Sequence, residues 1–323
     1  MRIAYFLVGA MALFLVGCAN GPTRGDLADR PVEVVTTTSM IADLARAIGG
    51  DRVTVQGLMG PGVDPHLYRA SEGDVTRLTG ADLVLYNGLH LEGKMGEVLE
   101  QIEGRGITVA AVAETIPEDQ LLAPPEFQGN FDPHVWMDVS LWTGVAGAVA
   151  EALAALDTTH AVGYQQRLAT YTARLDSLDA WVRGRVAELP EDQRILVTAH
   201  DAFNYFGRAY GFTVRGLQGI STATEAGTAD VAGLAQFVAA RRIPAMFVES
   251  SVPPRSIEAV QAAVRSRGFE VQIGGNLYSD ALGGPDTGAH TYEGMIRHNV
   301  NTIMDALLPE SVTDGADVPM VTR

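Results

Sequence analysis

Between Thr159 and Glu188 the chain runs without a proline, and its apolar residues fall at helical spacing. Tyr164, Leu168, Tyr171, Leu175, Leu178 and Val182 share one face, with charges between them. That period marks a helix with one buried stripe. The stretch therefore predicts a single long helix ended by Pro190, with Gly163 and Gly184 weakening the pattern near its ends. A rod of that length, set mid-chain, divides what surrounds it. On each side lies a series of alternating strands and helices. Before it, Val32 to Thr37, Val53 to Leu58, Ala81 to Tyr86 and Ile107 to Val112 read as strands. Ile41, Leu44, Ala45 and Ile48 mark a helix stopped at Gly49-Gly50, and Trp142 to Leu156 is an Ala-rich helix. After it, Arg194 to Thr198, Thr213 to Leu217, Ala245 to Glu249 and Glu270 to Ile273 are strands. Asp201 to Tyr210, Val231 to Ala240, Ser256 to Arg267 and Tyr292 to Leu307 are helices. Such alternation demands parallel sheet covered by helices. The expected fold is α/β: two lobes of mostly parallel sheet with flanking helices, joined by one long rigid helix. The expected boundaries are 31–157, 158–190 and 191–323, with ligands held beyond the carboxyl ends of the strands.

The first residues belong to neither lobe. Arg2 is their only charge, and Ile3 to Gly17 is apolar or small. That run is shorter than the ~20 residues a membrane helix needs, and a basic start before a short apolar run reads as an export signal over 1–17. Cys18 is the sole cysteine of the protein, so an internal disulfide and a thiolate metal cluster are both excluded. Leu15-Val16-Gly17-Cys18 looks like a bacterial lipobox, which would make Cys18 the lipidated residue and 18–30 a polar tether. Charge narrows the partners. With 39 acidic against 23 basic residues the net charge is −16, the wrong sign for gripping phosphate backbones, so nucleic acid is not a partner.

Three histidines share a context. His66 lies in Asp64-Pro65-His66 after the second strand, and His134 in Asp132-Pro133-His134 before the Ala-rich helix. His200 directly follows the strand Arg194 to Thr198. Proline restricts its own φ and the residue before it, which holds the histidine backbone still. Asp280, after the last strand, is a fourth candidate. Imidazole suits zinc, copper, iron and nickel, while a carboxylate oxygen shifts preference toward harder ions such as manganese. Three His and one Asp make the four ligands of a tetrahedral zinc site. The four are far apart in sequence, and no local motif joins them.

The same segments carry a resemblance. Val63 to Tyr68, Asn87 to Glu92, Asp132 to Asp138, Thr198 to Phe203, Gly219 to Thr222, Phe247 to Ser250 and Leu277 to Gly283 resemble the metal-binding solute-binding lipoproteins of zinc and manganese ABC importers. The likeness spans nearly the whole mature chain. It implies metal ligands at His66, His134, His200 and Asp280, and two α/β lobes bridged by a rigid helix. It also implies one Zn2+ or Mn2+ per chain as transported cargo, and ABC importer membrane subunits as partners. The protein would be extracytoplasmic, anchored to a bacterial membrane by lipid, and monomeric. Manganese-selective members usually have Glu where this chain has His200, which favours zinc. Zinc scavengers often carry a His-rich loop, and Glu114 to Asn130 contains no histidine.

Two other functions compete. A secreted zinc-dependent hydrolase would need an open water position and a base, and no His-Glu-x-x-His run is present. A surface adhesin is compatible with the same anchor. The remaining candidates read more plainly. His90 is expected in a hydrogen-bonded structural role and His160 facing solvent near the long helix. His290 and His298 are expected in packing or on the surface, with support behind the Asp280 region as the alternative. Glu249, ending a strand, is placed to orient a ligand imidazole. Ser221 to Glu225 suits either lining the cleft or capping a helix.

Overall fold

The computed structural model describes residues 25–127 and 129–308. The expected signal 1–17, Cys18 with residues 19–24 of the tether, and residues 309–323 of the second lobe lie outside the described residues.

The first half is one parallel sheet. Strands β1 (Val32–Thr36), β2 (Val53–Gly57), β3 (Leu83–Tyr86) and β4 (Thr108–Ala111) run side by side in the order β2-β1-β3-β4. Helices α1 (Ser39–Gly49), α2 (Glu72–Thr79) and α3 (Gly96–Glu103) connect them. α1 starts where the Thr38 hydroxyl accepts the Ile41 N–H and buries Ile41, Leu44 and Ile48, the stripe its spacing dictates. α2 and α3 have no counterpart among the expected elements.

α4 (Val139–Leu156) leads to α5 (Ala161–Val186), which is unbroken over 26 residues. At 1.5 Å per residue α5 is about 39 Å long. Its Tyr164, Tyr171, Leu175, Leu178, Val182 and Val186 are buried. Thr158–His160 forms a separate 3-10 turn, so the helix starts slightly later than expected. α4 is apolar enough to cross a membrane by composition, yet it packs against α1 and α5 inside the protein.

The second half pairs β5 (Ile195–His200) with β6 (Thr213–Gln218), and β7 (Ala245–Glu249) with β8 (Gln272–Leu277), all parallel, with β5 beside β7. α6 (Asn204–Tyr210), α7 (Thr228–Arg241), α8 (Arg255–Arg265) and α9 (Tyr292–Leu307) flank them. Thus α5 joins two α/β lobes. Two expectations need correction. His200 is the last residue of β5 rather than a residue beyond it, and β8 runs on to Leu277.

The main core does not respect the lobes. One continuous apolar cluster takes side chains from β1, α1, α4, α5, α6 and α9, and Trp142 of α4 stacks on Tyr292 of α9 at 5.1 Å. Parallel strands put every carboxyl end on the same side of a sheet, and the segments leaving those ends face each other between the lobes.

Candidate metal centre

His66, His134, His200 and Asp280 come together there. Their donor atoms lie within 4.8 Å of one another, and all four side chains are buried. His66 Nε2 faces His134 Nε2 at 3.2 Å. Asp280 spreads its carboxylate between His134 and His200, Oδ1 3.4 Å from His134 Nε2 and Oδ2 3.3 Å from His200 Nε2. Donors bound ~2.0–2.1 Å from a tetrahedral ion stand roughly 3.3–3.4 Å apart, so these spacings suit zinc-sized coordination. His200 Nε2 and Asp280 Oδ1 are buried and lack a hydrogen-bond partner among the described residues. Such groups are costly unless a cation or proton satisfies them. The arrangement can therefore close around one divalent cation.

Each candidate is aimed by its surroundings. The two Asp-Pro-His segments build the same turn. The His66 N–H donates to Asp64 Oδ1 at 2.9 Å, and the His134 N–H to Asp132 Oδ1 at 3.0 Å. Aspartate accepting from the backbone two residues on is a standard turn contact. Only the second turn also reaches the ring, with Asp132 Oδ1 2.8 Å from His134 Nδ1. Glu249, at the end of β7, stands 2.6 Å from His200 Nδ1 and accepts the His200 N–H at 2.9 Å. The Asp132 contact holds the His134 ring with Nε2 inward, while Glu249 stands against His200 Nδ1 as an ion-pair partner. Behind Asp280, Ser251 donates to Oδ2 at 3.0 Å, and Trp136 Nε1 donates to the Ser279 carbonyl at 2.8 Å.

The charges divide unevenly. Burial, helped by neighbouring His134 and His200, pushes His66 down to about 3 against the pull of Asp280. Burial opposes the His134 imidazolium too, but Asp132 and Asp280 outweigh it and raise the group. At His200 burial is outweighed by Glu249 and Asp280, and the group rises well above its ordinary value. Burial would raise Asp280, but His200 and His134 hold it well below the usual carboxylate range.

The other histidines lie elsewhere. His90 is exposed in a left-handed turn at φ 64°. His160 pairs with Asp157 at 2.8 Å, and His298 Nε2 stands 3.0 Å from the Asn276 carbonyl. His290 is exposed. Within Ser221 to Glu225, Thr222 donates to Asp64 Oδ2 at 2.6 Å, and a cavity of about 470 Å³ beside it is lined by Asp64, Leu67, Thr222, Ser251 and Val252. Sequence reasoning missed Asp132, Ser251 and Trp136. Asp132 was legible, because an acid two residues before a histidine can serve both its N–H and its ring.

Comparisons with known proteins bear on the whole chain. The profile of the family described as zinc-uptake complex component A, periplasmic, matches residues 34–306. The zinc-binding protein TroA of Treponema pallidum is 53% identical over 280 residues, covering 87% of this chain and 90% of that protein. The manganese-binding lipoprotein MntA of Bacillus subtilis is 49% identical over 293 residues, covering 91% and 95%. The solved structure of the periplasmic zinc-binding TroA superposes with a TM-score of 0.84, covering 86% of this chain and all of that one.

Proposed function

Because the chain belongs to the zinc-uptake component A family, we propose that it captures a divalent transition metal outside the cytoplasm and delivers it to the membrane subunits of an ABC importer. The observation that carries this reading is the convergence of three imidazoles and one carboxylate in a buried space between the lobes. His66 and His134 supply ligands from the first lobe, and His200 and Asp280 from the second. One ion per chain crosslinks them. Residues 1–17 are removed as a signal, Cys18 carries the lipid, and 18–30 tether the protein to the membrane. Residues 31–157 and 191–323 are the lobes, 158–190 the connecting helix, and the protein acts as a monomer without enzymatic activity. Four protein ligands leave little room for an activated water, which favours carriage over hydrolysis.

Relatives named for zinc and for manganese are similarly close. Donor chemistry separates them. Three nitrogens and one carboxylate favour zinc, with manganese the next choice. Titration of purified protein with zinc, and with manganese in competition, tests the assignment. The intact protein should take one ion per chain, and His134→Ala should lose that stoichiometric site. Unchanged affinity and stoichiometry in the variant would refute it.

A further inference from the structure

α6 starts just after His200, and its first two side chains cross from the second lobe to the segment that carries His134. Asn204 Nδ2 donates to Asp132 Oδ2 at 3.1 Å and to the Asp201 carbonyl at 3.2 Å. Tyr205 donates its hydroxyl to the Asp132 carbonyl at 2.9 Å and accepts the Leu122 N–H at 3.0 Å. The Asp132 carboxylate is thereby divided. Oδ1 serves the His134 N–H and ring, and Oδ2 receives Asn204. The orientation of the amide is fixed by its partners. A carboxylate and a carbonyl both accept, so only the NH2 end of Asn204 fits between them.

We infer that Asn204 is a positioning residue for the proposed metal site: its amide ties Asp132, which aims His134, to the chain leaving His200, so ligands from opposite lobes are registered through one side chain. The inference rests on the proposed cargo site and names what sets its geometry across the lobes. Without the amide, Oδ2 loses the contact that holds the carboxylate's rotation, and the imidazole behind Oδ1 loses its fixed aim. Partners behind a ligating histidine typically contribute about 10- to 100-fold in metal affinity. Asn204 is itself half-buried and does not reach the four donor atoms, so it acts through Asp132.

The test is Asn204→Leu, which keeps the size and removes both donors. Zinc affinity is measured by chelator competition, site geometry by the visible absorption of the Co2+ form, and stability by melting of the metal-free protein. Zinc affinity should fall about 10- to 100-fold and the cobalt bands should shift, with the metal-free melting midpoint unchanged. If the leucine variant does not fold, Asn204→Ser, too short to reach Asp132, carries the same expectation. Parental affinity with parental cobalt bands would overturn the inference. So would a lowered midpoint with unchanged bands, since that describes a purely structural role. A parent protein that binds neither ion removes the proposed site and this inference together. A parent that binds, beside a variant that binds equally well, removes the inference alone.

Discussion

At the residue scale the site is a competition between protons and a cation. His134 and His200 are raised by the carboxylates Asp132, Glu249 and Asp280, while His66 is lowered to about 3. The sign follows. Without metal, a raised group holds its proton through the ordinary histidine range near ~6.5 and above it. Metal needs neutral imidazole, so binding must release those protons. Affinity should therefore fall as pH drops, and the fall should begin above the ordinary histidine range. His66 has no proton to yield near neutrality. Calorimetry in buffers of different ionisation heat should record proton release, and a zinc affinity flat across that range would contradict the charge assignment. The three histidines were legible because Asp-Pro-His repeats and because His200 abuts a strand. Asp132 was equally legible but was passed over, because its neighbour Pro133 already accounted for the rigidity. Asn204 follows His200 closely in sequence, but it gains meaning only by reaching across to Asp132 in the other lobe.

At the element scale, the strands with β-branched runs were readable and the weak ones were not. β8 was expected to stop near Ile273 because Gly274, Gly275 and Asn276 favour strands poorly. Pairing with β7 holds them in place. A Cβ on Gly274 would approach the Phe247 ring to 2.7 Å, so packing requires the glycine. α2 escaped although Ser71 and Asp74 form a reciprocal cap at its start. α3 has no side-chain cap at Met95. The pairing that holds His200 offers a test. A Cβ on Gly216 of β6 would stand 2.6 Å from the His200 carbonyl carbon and from the Asp201 nitrogen. Backbone cannot yield as a side-chain tip does. Gly216→Ala should cost about 1–3 kcal/mol, seen as a lower thermal midpoint, with weaker zinc binding because β5 is displaced at its ligand end. A midpoint equal to the parent's would show that the strands separate freely there.

At the scale of the molecule, two lobes share one core through α4, α5 and α9. The ion would add a second crosslink between the lobes. Ligand that binds only the folded form stabilises by mass action, about 2.7 kcal/mol at a hundredfold excess over Kd. Zinc should therefore raise the melting midpoint by about 5–10 °C in a single transition, reversed by chelator. Two transitions, with one indifferent to zinc, would mean that the lobes unfold independently. The amino-acid order alone determined the alternation of strands and helices and the central rod, because periodicity, proline and charge act over short stretches; it offered the three histidines as candidates, and the full set of four proposed donors came from the family resemblance. Only the tertiary structure decided that those donors meet, which carboxylate aims each ring, and that three strand-poor residues complete a sheet. Those outcomes depend on contacts between segments distant in the chain, which no local pattern encodes.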